Sequence, residues 1–158
     1  MELDPELGAA LVEAADAAAD AARPWWVIGS AAVALHGAVT HVADVDLLMD
    51  ADDAARLLRG RGIAPAPGPG GDRFRSKIFA RWSGAGLPIE VMADLDVAVA
   101  GEWRRVRLEG RRPVEVGGRT LFVPPLGELV ALLRLFGRDK DLARAEAAAA
   151  RCRPEGGD

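Results

Sequence analysis

The sequence predicts an α/β fold with a mixed sheet. Three observations carry this. Helix and strand signals alternate through the first half, hairpin signals fill the second half, and the composition is that of a folded globular chain: 158 residues with 50% apolar and 28% charged. That length suits one domain with a real core. The expected domain is residues 1–153, with residues 154–158 as a frayed tail.

The elements follow in order. Asp4-Pro5 combines an N-cap with proline at the first helical position, and Leu7, Leu11, Ala14, Ala18 and Ala21 keep helical spacing, so residues 5–22 read as a helix ended by Arg23-Pro24. Trp25 to Ile28 is a short buried strand, broken by Gly29-Ser30. Ala31 to His36 is a short helix closed by Gly37. His41 to Met49 holds a second strand. Asp50, Asp52 or Asp53 caps a helix running to about Arg59. Residues 64–72, rich in proline and glycine, exclude regular structure and read as a mobile surface loop. Arg73 to Trp82 is a strand, Ser83 to Gly86 a turn, and Leu87 to Met92 the returning strand. Residues 114–116 and 119–123 form a hairpin around Gly117-Gly118, stopped by Pro124-Pro125. Leu126, Leu129, Leu132, Leu133 and Phe136 mark one helix, and Arg138 to about Arg151 a last one. There is no internal repeat and no heptad pattern.

Composition excludes several classes. The one cysteine, Cys152, rules out an internal disulfide and a cysteine-based zinc cluster, and the two histidines, His36 and His41, rule out a histidine-rich metal site. No apolar run approaches the roughly 20 residues of a membrane span. The acidic start is not that of a secretory signal. A cytoplasmic protein with no membrane partner is expected. The net charge of −4 divides unevenly, −8 over residues 1–60 and +4 over the rest, which suits a site with metal on one wall and phosphate on the other, although charge alone favours ordinary surface charge.

The chemistry concentrates in Gly29-Ser30 and Asp44-Val45-Asp46. Residues two apart in a strand share a face, so Asp44 and Asp46 point together while Val45 and Leu47 enter the core. Paired carboxylates repel unless a cation sits between them, and an oxygen-rich pair suits Mg²⁺, which takes one or two carboxylates plus phosphates and water. Gly29-Ser30 closes a strand and opens a helix, where a phosphate can approach the backbone and meet free N–H groups. Glu90 is the best third carboxylate, the lone charge of an apolar strand, and such a charge needs a metal or a partner such as Arg75 or Arg81. Each motif alone is common; their conjunction favours function over coincidence.

Val27-Ile28-Gly29-Ser30 with Val42-Ala43-Asp44-Val45-Asp46-Leu47 resembles the signature of the DNA polymerase beta-like nucleotidyltransferase superfamily. The chain looks like its minimal, single-domain members, and Arg75 to Trp82 with Ile89-Glu90-Val91-Met92 also resembles them. Gly137-Arg138-Asp139-Lys140-Asp141 is similar to the Arg-x-Lys-Asp of toxin-type nucleotidyltransferases of toxin–antitoxin pairs. The resemblance covers roughly residues 24–145 and implies a nucleotidyltransferase fold, a mixed β-sheet flanked by helices. It further implies that Gly29 and Ser30 hold terminal phosphates and that Asp44 and Asp46 bind two Mg²⁺ ions, with Mn²⁺ as the alternative metal. Glu90 would complete the metal site and help deprotonate an acceptor hydroxyl. The implied reaction moves an NMP from an NTP to a hydroxyl of a small molecule, a protein or an RNA end, releasing pyrophosphate. One departure stands out: His41-Val42-Ala43 precedes Asp44, where many members carry a Ser-Asp-hydrophobic run.

Strict alternation puts Arg73, Arg75, Lys77 and Arg81 on one face with Phe79, where Arg75 and Lys77 are candidate triphosphate ligands and a solvated outer face is the equal alternative. Arg138, Lys140 and Asp141 read as surface i,i+3 pairs in preference to site residues. Arg104, Arg105, Arg107, Arg111 and Arg112 form a basic cluster that suits a soluble surface, with an acidic or RNA partner as the alternative. Trp25, Trp26 and Trp82 read as core, His36 as a satisfied histidine and His41 as a weak substrate contact. The competing function is an interaction module of the same fold, a toxin–antitoxin partner with weak or lost catalysis. A phosphohydrolase using Asp-x-Asp ranks low, because Leu48 stands where its Thr or Val would be.

Overall fold

In a computed structural model, residues 2–152 are described. The tail expected over 154–158 lies outside them, as does the Cys152 side chain. The elements are α1 (Pro5–Ala17), β1 (Trp26–Ile28), α2 (Gly29–Leu35), β2 (Val45–Met49), α3 (Ala51–Gly60), β3 (Phe74–Trp82), β4 (Ile89–Val99), β5 (Glu102–Arg105), β6 (Arg112–Val116), β7 (Arg119–Val123), α4 (Leu126–Phe136) and α5 (Asp139–Ala149), followed by a 3₁₀ turn over Ala150–Cys152.

The expected mixed sheet is present. Its order is β1-β2-β4-β3, with β5 also on β4; β2 and β4 run parallel and the other pairs antiparallel. β6 and β7 form a separate hairpin whose Gly117 and Gly118 both have positive φ, at 56° and 79°, the pair a two-residue type I′ turn requires. One face of the sheet, with Val45, Leu47, Ile89 and Val91, packs in the main core with Leu11 of α1 and Leu58 of α3. The other face, with Ile28, Leu48, Met92 and Leu95, packs against Leu132 and Phe136 of α4. No helix among the described residues is long and apolar enough to cross a membrane.

Several boundaries differ from expectation, each for a tertiary reason. α1 is capped by Asp4 as expected, but it ends at Ala17. Beyond it, the Ala22 and Arg23 N–H groups donate to the Asp53 carboxylate at 2.9 Å each, so these bonds replace further helical ones. β2 begins at Val45, where its partner strand begins. β4 continues to Val99 because β3 and the unexpected β5 both pair with its second half. Residues 64–72 are irregular, as composition requires, yet they are not a free loop: Gly68 N–H donates to Ser76 O at 3.1 Å and Phe79 N–H to Ala66 O at 2.9 Å, which ties the segment to the outer edge of β3.

The largest correction concerns the faces of β3 and β4. Asp94 in the middle of β4 has φ +50°, and its register mate Lys77 drops out of the pairing. Alternation inverts there: Met92 and Leu95, three apart, lie in the same cluster. Arg75 and Arg81 therefore do not share one face as strict alternation requires.

Candidate functional site

Three backbone features converge at one end of the sheet. β1 ends at Gly29, whose φ is +68° and whose hydrogen atoms face the neighbouring strand: a Cβ there would stand 2.7 Å from Asp46 Oδ2. Glycine is thus needed both for the turn and for room beside the carboxylate. α2 starts here with no side-chain cap, and Ser30 is buried in its first turn. β2 and β4 run parallel in a register that places Asp46 directly beside Glu90, with Asp44 one residue before β2.

The result is a carboxylate triad. Oxygens of Asp44, Asp46 and Glu90 all lie within 4.8 Å of one another. Arg81 from β3 reaches across, its Nη1 donating to Asp44 Oδ2 at 3.2 Å and to Glu90 Oε2. Asp46 receives no such help. Its Oδ1 is enclosed and has no hydrogen-bond partner among the described residues. Burial, then the negative charge of Asp44, then the adjoining Glu90 carboxyl push the Asp46 carboxyl well above the usual range, while Arg144 pulls the other way. An enclosed, unpartnered carboxylate oxygen beside two more carboxylates is a donor set for a hard divalent cation. The residues present fit that group; Arg81 supplies part of the compensating charge from one side only.

The triad forms the floor of a cleft of ≈ 430 Å³. Its apolar wall includes Phe74, Phe79, Met92 and Phe136, and its basic wall is α5, through Arg138, Lys140 and Arg144. Gly68, Pro69 and Gly70 of the tethered loop form the rim. A more open groove of ≈ 590 Å³ beside α1 and β7 contains none of the triad.

The structure brings together Gly29, Asp44, Asp46 and Glu90 in this cleft; Ser30 sits just behind it, buried. Arg75 reaches the cleft but is engaged, with Nε 2.9 Å from Asp96 Oδ2 and its guanidinium stacked 4.4 Å from the Trp103 ring centroid. Lys77 is exposed and does not line the cleft. Arg81, read as one optional partner of Glu90, is that partner. Arg138, Lys140 and Asp141, read as surface residues, line the cleft. Asp141 is 1% exposed and accepts from Arg138 Nε at 2.5 Å and Nη2 at 3.0 Å. Arg144 was not expected. The available signal was Asp141 itself, which shares a helical stripe with buried Ala145 and Ala148, so a carboxylate stands on the apolar face of α5.

The remaining expectations sort simply. His36 Nε2 lies 2.8 Å from Pro124 O, a satisfied histidine, and His41 is exposed. Trp25 is buried edge-on against Phe122; Trp26 and Trp82 pack at the core margins, with their indole N–H groups on Gly110 O and Glu13. In the basic cluster, Arg105 pairs with Asp94 and Asp96, and Arg111 stacks on Phe122.

No family model matches the chain, and no curated protein matches it significantly. Solved structures do. A "putative nucleotidyltransferase" from Thermotoga maritima is 25% identical over 94% of this chain and 92% of its own, with a TM-score of 0.71. The antibiotic-resistance factor ANT(2'')-Ia is 13% identical over 96% of this chain and 86% of its own, with a TM-score of 0.58, a likeness of fold alone. The chain thus shares the fold of these nucleotidyltransferases, and its three carboxylates converge within that fold.

Proposed function

We propose that the chain is a divalent-metal-dependent transferase, Mg²⁺ being the expected ion, that moves an NMP from an NTP to a hydroxyl acceptor and releases pyrophosphate. The observation that carries this reading is the convergence of Asp44, Asp46 and Glu90 beside Gly29, with one Asp46 oxygen enclosed and unpartnered. A spent structural carboxylate would have acquired donors; this one lacks them. Convergence of all three also weighs against the alternative of an interaction module with lost catalysis.

Asp44, Asp46 and Glu90 would hold the metal, which when bound would neutralise charge building on the entering and leaving oxygens. The chain's own residues do the rest. Gly29 leaves room for the phosphate chain against the backbone. Glu90, on the cleft lining, would take the proton of the acceptor hydroxyl as its oxygen attacks the α-phosphorus. The bond from that phosphorus to the bridging oxygen breaks, and its electron pair leaves with pyrophosphate. Arg81, tied to Asp44 and Glu90, would share those carboxylates with a bound metal. The Phe74, Phe79 and Met92 wall offers a dry surface for an apolar ring face. The acceptor is a small molecule, a protein or an RNA end.

The test is calorimetry of the four NTPs in α,β-methylene form, with and without Mg²⁺, on the wild type and on Asp46→Asn. Metal-dependent binding that disappears in Asp46→Asn is the expected result. A folded wild type that binds no nucleotide under any condition overturns the reading.

A further inference from the structure

The arginines of the cleft, and Arg81 on its triad, are not equally committed. Arg81 is spent on Asp44 and Glu90, Arg75 on Asp96 and Trp103, and Arg138 on Asp141 and the Phe74 ring, 4.9 Å from its guanidinium carbon. Arg144 differs. Its nearest carboxylate oxygen, Asp141 Oδ1, is 3.8 Å from Nη1, beyond a hydrogen bond, and its side chain is only 20% exposed. Arg138 already saturates that carboxylate with two side-chain donors and its own N–H. Arg144 is therefore the most enclosed arginine of the cleft and the one that donates no hydrogen bond to a carboxylate among the described residues. A guanidinium withdrawn from water without acceptors is costly unless a ligand supplies them.

Its position narrows the ligand. α5 packs against α2, the helix opened by Gly29, and Arg144 lines the same cleft as Gly29 and Asp46. The cleft thus has a basic wall, with Lys140 one helical turn before Arg144 on the same face. An anion with several equatorial oxygens suits that wall, because a guanidinium fork grips such oxygens in pairs.

We propose that Arg144 binds the β- and γ-phosphates of the nucleotide, and so the departing pyrophosphate. Asp141 is a positioning residue: buried and clamped by Arg138, it sets the α5 turn from which Arg144 projects. The proposal rests on the NMP-transfer reading above and adds which residue holds the tail of the donor.

The experiment compares wild type, Arg144→Gln and Arg144→Lys, each verified as folded by its thermal transition. Each binds an α,β-methylene NTP, the matching NMP, the nucleoside and inorganic pyrophosphate at fixed Mg²⁺. Arg144→Gln should weaken the triphosphate and pyrophosphate by about 10- to 100-fold, leave NMP and nucleoside within about twofold, and be partly rescued by Arg144→Lys. Unchanged triphosphate affinity in folded Arg144→Gln overturns the proposal, as does an equal loss for all four ligands, which would mark a structural role. Wild type that binds triphosphate while Arg144→Gln does too leaves the transferase reading standing alone. Wild type that binds none of the four removes both.

Discussion

Asp53 and Asp46 are two aspartates turned into the same molecule, and the protein treats them oppositely. Asp53, 3% exposed in the first turn of α3, accepts from the Ala22 and Arg23 N–H groups and from Arg56 Nη1 at 3.1 Å. Burial alone would push its carboxyl up, but these donors together outweigh burial and hold it below the usual range. Asp46 has burial, two carboxylate neighbours and an oxygen with no donor, and its carboxyl is driven up. The first carboxylate is finished by the chain and holds α3 to the segment after α1. The second is left unfinished beside Gly29. Burial by itself does not separate a structural acid from a binding one; the number of donors that accompany it does.

The contrast breaks most sharply under substitution. Asp53→Ala strands two backbone N–H groups and the Arg56 guanidinium, and should cost about 3 kcal/mol of stability in urea unfolding. A loss within experimental error would mean that Asp53 is not the tie described. Asp46→Asn is expected to do the reverse. It removes a repelled, unpartnered charge, so in the presence of a chelator the protein should be as stable as wild type or more so, by up to ~1 kcal/mol. A destabilisation as large as that of Asp53→Ala would erase the distinction between the two sites.

The same distinction shows what the sequence could carry. Gly29-Ser30 and Asp44-x-Asp46 were legible because each is local: a glycine at a strand end and two carboxylates one pleat apart. Glu90 was legible as the lone charge in an apolar strand. What stayed hidden was whatever depended on other segments. Arg75 and Lys77 fit the alternation of β3, but the positive φ of Asp94, in a different strand, inverts the faces, and nothing in the residue type announces it. The early end of α1 depends on Asp53, 36 residues after Ala17. Arg144 carries no signal of its own; its one pointer is Asp141 on the small apolar stripe of α5, and that stripe takes its meaning from the packing of α5 on α2 and α4. β5 pairs with β4 alone, and its four residues are exposed, so it has no apolar pattern to read.

The smallest effect expected is a pH dependence that involves both kinds of group. His36 is half-buried with Nε2 on Pro124 O; burial is the main reason its pKa lies below 6.5, and the charge of Arg112 adds to it against the carbonyl's opposing pull. In the window below 6.5 the unfolded chain therefore binds a proton that the folded chain refuses, and stability falls as pH drops through it. Asp53 acts lower: its depressed pKa makes a contribution present above 3.8 and lost as pH falls through the folded value. Asp46 has the opposite sign, since its raised pKa lets the folded state bind the proton first, and acid relieves repulsion there. The His36 limb is hence best measured in the Asp46→Asn background, by urea unfolding at a series of pH values. Adding His36→Gln should flatten stability between neutrality and the onset of carboxylate titration while leaving the steeper Asp53 limb in place. A decline just below pH 6.5 that survives His36→Gln would assign it to another group and leave the histidine a packing residue only.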